Sequence, residues 1–337
     1  MNKTYEAGMR SLNKGCIPVL VIMAPTASGK TELLEKAFAS DAAGALAGKA
    51  EVINADSMQV YKGMDAGTAK PDAAFLKRLP HHLIDLCTPD HQFGSGEFLT
   101  QADAACADIF SRGKLPVLCG GTSFYLKAFL YGLPPTPEAD LEIREKINRR
   151  MLEEGAEALW KELFSVDPES AEKIHINDEY RIKRALEVYY TTGKKRSDFA
   201  VPEKEREPYR FFIVELRRPR EELYQRINLR VDRMFENGLA EEAENLIKSG
   251  CTADMPGMQA IGYREFFAIK RSSFSEDESG HREYLDAVKE LIKKDTRKYA
   301  KKQQTFIKAF PEHFFIHPDN FSGFYEAVKS FYERFYQ

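Results

Sequence analysis

Lys30 and Thr31 close a Gly-Lys-Thr triplet after Ala24-Pro-Thr-Ala-Ser28, Asp56 follows the apolar run Glu51–Ala55, and Thr122 ends a Gly-Gly-Thr triplet. A lysine, a hydroxyl and consecutive backbone N–H groups at a helix start suit a di- or triphosphate. The amides cradle its oxygens, Lys30 reaches the terminal phosphate and the Thr31 hydroxyl holds Mg²⁺. An aspartate directly beyond a strand can serve as metal ligand or general base, or cap the following turn. Gly120-Gly121 lets a ligand approach the backbone closely, or makes a simple turn. One departure stands out: Ala24 occupies the place of the usual first glycine of such a loop.

The elements around these residues alternate. Ile17–Met23 reads as a buried strand and Glu32–Phe38 opens a helix, the strand–loop–helix context of a phosphate-binding loop. Glu51–Ala55 and Leu115–Cys119 read as further strands, with helices at Phe98–Arg112 and Ser123–Tyr131. Ligands in open α/β sheets sit beyond the carboxyl ends of the strands, so Asp56 should face the crevice that holds Lys30. Leu133–Asp140 is a proline-rich break, after which helices follow one another: Leu141–Glu154, Ala156–Val166, Pro168–Ile174 and Asp178–Thr192. Arg181 and Arg184 share one helix face there, as lid arginines do and as surface arginines do. Phe211–Leu216 returns to strand character. Arg220–Lys248 reads as one long helix with Leu223, Ile227, Val231 and Phe235 inward, and Asp286–Phe310 as a strongly basic helix.

The 337 residues are 43% hydrophobic and 30% charged with a net charge of −3, the composition of an ordinary globular protein with a real core. No apolar run approaches a membrane span and no leader peptide is evident, which points to the cytoplasm. Five scattered cysteines read as reduced thiols, and the seven histidines show no metal-ligand spacing. Total charge disfavours a nonspecific polyanion binder. Basic clusters at Arg217–Arg233 and Lys293–Lys302 nonetheless leave room for a local RNA contact.

Taken together, Pro25–Thr31, Asn54–Tyr61, Gly63–Pro71, Pro80–Asp85, Gly120–Thr122, Arg184–Val188 and Ile261–Arg264 resemble the tRNA dimethylallyltransferases, over roughly Pro18 to Phe310. The resemblance implies an α/β fold: a P-loop NTPase-like parallel sheet flanked by helices, with an inserted all-helical tRNA-binding domain. The catalytic core would span 15–133 and 209–312, the insertion 134–208 and a C-terminal extension 313–337. The reaction would move the dimethylallyl group of dimethylallyl diphosphate to N6 of the adenosine 3′ of the anticodon, in tRNAs that read codons beginning with U.

By the same resemblance, Ala24, Pro25, Thr26, Ala27, Ser28, Gly29, Lys30, Thr31 and Arg226 would bind the diphosphate. Asp56 would be the general base, beside Lys30, Thr31 and Thr122. Mg²⁺ would sit on Thr31, with Asp56 a further ligand. Asp56, Ser57, Met58, Gln59, Thr122, Arg144, Tyr180, Arg181, Ile182, Lys183, Arg184, Gln259, Ala260, Ile261, Gly262, Tyr263 and Arg264 would contact the tRNA anticodon stem-loop, and the enzyme would be a monomer. Gln259 and Phe306 stand where many relatives carry Arg and Trp. Two other readings of the residues stay open. A kinase would use the same loop with Arg181 and Arg184, although the Leu115–Cys119 strand lacks a following acid. A non-catalytic RNA binder would keep the loop as a remnant.

Overall fold

The computed structural model describes residues 16–137, 140–200, 202–310 and 313–336. The polar lead-in Met1–Lys14 lies outside them. Two compact units are present, one of residues 1–130 with 206–337 and one of residues 131–205.

The first unit is built on a six-stranded sheet. Its strands are β1 (Ile17–Met23), β2 (Ala50–Ala55), β3 (His81–His82), β4 (Leu115–Gly120), β5 (Tyr209–Leu216) and β6 (Phe314–Ile316), in the order β3-β2-β4-β1-β5-β6. Its recorded pairings are parallel. Strands of such sheets are covered on both faces, which is why β1, β2 and β4 read as near-continuous apolar runs. Leu20, Ile22, Val52, Val117 and Val214 pack on one face against Leu33, Leu34 and Phe38 of helix α1 (Lys30–Phe38) and against Phe324, Val328 and Phe331.

The remaining helices of this unit are α2 (Ala73–Arg78), α3 (Ser95–Ser111) and α4 (Ser123–Tyr131), whose last residue begins the second unit. After that unit come α8 (Arg220–Glu236), α9 (Leu239–Lys248), α10 (Arg264–Ala268), α11 (Glu278–Ile307) and α12 (Phe321–Tyr336). The second unit holds α5 (Leu141–Val166), α6 (Pro168–Lys173) and α7 (Glu179–Thr192). They close on a core of Ile147, Met151, Leu159, Leu163, Ile182 and Leu186. Gly155, at φ 81°, kinks α5 where the sequence divides Glu154 from Ala156.

Several expectations change. Arg220–Lys248 is two helices, because Gly238 adopts φ 90° and ends the first. Met234, not Phe235, completes the buried stripe of α8; Phe235 stacks on Phe266 instead. The basic helix begins at Glu278, capped by the Asp277 carboxylate accepting from Gly280 N. Residues 313–337 are no appendage: β6 pairs with β5, and α12 seals the α1 face of the sheet.

Candidate active site

Strand register sets the site. Met23 pairs with Gly120 and with Glu215, and Gly120 pairs with Ala55. The segments that begin at Ala24, Asp56 and Gly121 therefore leave the sheet at one level, beyond the carboxyl ends of adjacent strands, and β5 runs one residue further to Leu216, which pairs with Ile316. A Cβ on Gly120 would stand 2.2 Å from the Ala55 carbonyl oxygen, so only glycine lets β4 close on β2 here. Thr122 then ties the two strand ends together: its N–H donates to Ala55 O (3.1 Å), and its Oγ1 accepts from Ser57 N (2.9 Å).

The loop from Ala24 to Thr31 is held from outside by arginines. Gly29, at φ 97°, turns the chain into α1. Arg226 Nε donates to Ala27 O (3.0 Å) and Arg218 Nε to Ser28 O (2.9 Å). Ala27 takes a left-handed conformation (φ 61°) that alanine ordinarily avoids. It is packed against the cluster of Leu223, Ile227 and Ala300. Lys30 Nζ donates to Ala24 O (3.0 Å) and Pro25 O (2.9 Å). Burial, above all, lowers the Lys30 pKa from its ordinary value. The Ser28 hydroxyl is buried without a hydrogen-bond partner among the described residues, and Thr31 is exposed on the first turn of α1. Ala24 lies outside the positive-φ region and is wholly buried in the sheet core, where its methyl does not strain the backbone.

Asp56 performs the capping task, since its Oδ1 accepts from Met58 N (2.9 Å). Its charge opposes the effect of burial on the two cations Lys30 and Arg230. Buried Asn54 fixes this strand end by donating to Leu83 O (3.1 Å) and Asp56 O (3.3 Å), giving the Pro80–Asp85 block a structural task.

The remaining expected contact residues divide by burial. In the first unit Gln59 is half-buried, and Gln259 and Arg264 are exposed, Arg264 pairing with Asp295 (3.0 Å). Ala260, Gly262 and Tyr263 are buried and shape the segment instead. The Tyr263 hydroxyl donates to Glu242 (2.5 Å) and accepts from Gly67 N (3.1 Å). In the second unit Tyr180, Arg181 and Arg144 are exposed, whereas Ile182 is a core side chain with no accessible surface. Arg144 and Arg184 both reach the buried Glu187 (3.1 Å each), and Arg184 also donates to Pro137 O (2.8 Å). Arg184 thus braces its own unit rather than standing as a free lid cation.

Sequence reasoning missed Gln303. It is 3% exposed, and its Oε1 accepts from Thr26 N (2.9 Å) while its Nε2 donates to Gly121 O (2.8 Å). Its spacing with Thr296, Ala300 and Ile307 on the buried stripe of α11 was the available signal. Arg230, named only as part of a basic cluster, donates to Thr68 O (3.1 Å); burial lowers its pKa and the Asp56 charge opposes that. The histidines, scattered in sequence, supply one potential ligand group among the described residues: Glu222, His317 and Asp319.

The profile of the IPP transferase family matches residues 59–310. The chain belongs to the IPP transferase family. It is 42% identical over 323 residues to tRNA dimethylallyltransferase 2 of Geotalea daltonii, covering 94% of this chain and 93% of that protein. It is 41% identical over 318 residues to tRNA dimethylallyltransferase of Geobacter sulfurreducens, covering 93% and 96%. Among solved structures it resembles the full-length tRNA isopentenylpyrophosphate transferase of Bacillus halodurans (32% identity, TM-score 0.62, 94% and 97% covered). It also resembles a eukaryotic dimethylallyltransferase captured acting on tRNA (27% identity, TM-score 0.71, 93% and 77% covered). IPP transferases are prenyl-transferring enzymes, so the phosphate loop of this family member serves neither a kinase nor a remnant.

Proposed function

We propose that the chain transfers the dimethylallyl group of dimethylallyl diphosphate to N6 of the adenosine 3′ of the anticodon in tRNAs reading codons that begin with U. The observation that carries this reading is the register that sets the phosphate loop and Asp56 at the carboxyl end of the sheet, in a member of the IPP transferase family. The bond from C1 of the isoprenoid to its diphosphate oxygen breaks, C1–N6 forms, and Asp56 takes the N6 proton. Lys30, the loop amides and Arg226 meet charge that grows on the departing diphosphate, which stabilises the transition state more than the ground state. The buried, unpartnered Ser28 hydroxyl and the open Thr31 hydroxyl fit a site for a hydrated Mg²⁺–diphosphate. Thr31 would hold the ion, with Asp56 nearby, and the ion would supply further positive charge to the leaving group.

Ser57 and Gln59 follow Asp56 in the chain, Thr122 is hydrogen-bonded to Ser57, and the three suit the acceptor base, flipped from the anticodon loop. Exposed Gln259, Arg264, Tyr180, Arg181 and Arg144, with Lys183, suit the RNA beyond it, as do the exposed Lys294, Lys301 and Lys302 of α11. Among the described residues no helix is long and apolar enough to cross a membrane.

Incubating the chain with unmodified tRNA and either labelled dimethylallyl diphosphate or γ-labelled ATP tests the reading. Isoprenoid label should enter tRNA. Label passing from ATP to an acceptor, or no transfer from either donor, would overturn it.

A further inference from the structure

Arg218 lies beside the phosphate loop, yet the proposed reaction gives it no part. Its side chain is only 3% exposed. Nε donates to Ser28 O (2.9 Å), Nη2 to Asp319 Oδ1 (2.7 Å) and Nη1 to Glu222. Glu222 in turn meets His317 Nε2 (3.2 Å), and His317 Nδ1 stands 3.7 Å from Asp319. The trio that could have held a metal is thus arranged around a guanidinium.

We propose that Arg218 is a positioning residue for the diphosphate site, anchored by Glu222 and by Asp319 of the segment that follows β6. This rests on the reading of the loop as the diphosphate cradle. Across a trans peptide the carbonyl and the next N–H point in opposite directions. Holding Ser28 O toward Arg218 therefore turns Gly29 N–H away from it, to the side where the anion is bound. Two carboxylates balance the Arg218 charge, so its contribution is orientation. Arg226 differs: among the described residues it has no carboxylate within ion-pair distance, and its charge remains available to the ligand. The sequence His317-Pro-Asp319 thereby couples the edge of the sheet to the loop at its centre; a Cβ on Gly29 would lie 3.9 Å from Pro318.

Calorimetric titration of the full chain with inorganic diphosphate and Mg²⁺ tests this, with tRNA binding measured alongside. Arg218→Met and Asp319→Asn should each weaken diphosphate binding by about tenfold, the scale of a hydrogen bond to a charged group, and leave tRNA affinity unchanged. Asp319→Glu should restore most of the loss. The double variant should be no weaker than Arg218→Met alone, because Asp319 acts through Arg218. Should Arg218→Met fail to fold, the exposed Asp319 carries the test through its Asn and Glu variants. Diphosphate binding by Asp319→Asn within about twofold of the parent chain, or additive losses in the double variant, overturns the proposal. A parent chain that does not bind diphosphate removes the cradle reading itself.

Discussion

On the proposed reaction, Asp56 would serve structure and chemistry without conflict. One carboxylate oxygen receives Met58 N and fixes the turn, which leaves the other for a proton. Asp56→Ala is expected to lower kcat by about 10²–10⁴-fold, the usual worth of general-base help, with tRNA affinity within about threefold. Single-turnover transfer and filter binding would check both; unchanged turnover would refute the base assignment. Ala24 makes the opposite case, a departure from pattern without functional weight. Its methyl fills the sheet core, so Ala24→Gly should destabilise the fold by about 1 kcal/mol through lost burial and added chain entropy. Its kcat/KM should stay within about twofold. A large gain in kcat/KM, read beside urea unfolding, would show instead that the methyl crowds the diphosphate.

At the scale of elements, the end of the sheet remote from the loops is fastened by charge. Glu51, the second residue of β2, is 3% exposed and accepts from Arg112 (2.5 and 2.7 Å), Lys114 (2.8 Å) and His82 (2.8 Å). The Arg112 hydrogen bonds, foremost, hold its carboxyl far below the usual carboxylate range despite burial. A depressed folded-state pKa stabilises above the unfolded value of about 4.3 and is lost as pH falls toward the folded one. Glu51→Gln should therefore cost about 1–3 kcal/mol at pH 7, with the gap to the parent chain narrowing below about pH 4. Urea unfolding at several pH values would read it, and a gap that widens in acid would contradict the assignment.

The same elements mark the limit of sequence reasoning. β1, β2 and β4 were legible because their short buried runs stop at a loop-forming residue, Pro25 after β1, Asp56 after β2 and Gly120 at the end of β4. The two-residue β3 and three-residue β6 were not, since runs so short acquire strand character only from the neighbour they pair with. Gly238 did carry its own signal, a helix stop inside an apparently continuous stripe. Gln303 sits in Lys301-Lys-Gln-Gln304, where residue type gives no sign of the buried amide and only its helical spacing with Thr296, Ala300 and Ile307 does. Among the expected contact residues, Ile182 and Tyr263 are buried, so packing rather than RNA accounts for both side chains.

For the whole molecule, the two units meet different demands. Arg206 N donates to Leu130 O (2.9 Å), so the chain leaves the first unit and rejoins it at neighbouring points. The second unit carries its own apolar core. Replacing residues 132–204 with a short Gly/Ser link should leave the sheet folded and diphosphate bound within about threefold, while tRNA affinity falls by more than about tenfold. Circular dichroism with paired binding titrations would test this, and a core that no longer folds would overturn it.

Gln303 has a consequence of a different kind. One amide holds Thr26 of the Ala24–Thr31 loop and Gly121 of the turn after β4, the donor and acceptor sides on the proposed reaction, so displacement of either loop is felt by the other. The two substrates should then be thermodynamically linked, each altering the other's affinity by the same factor. Diphosphate affinity measured with and without bound tRNA should differ in the parent chain and converge in Gln303→Leu. Equal shifts in both proteins would place the linkage elsewhere. A side chain that touches neither substrate would thus let the enzyme sense when both are aboard.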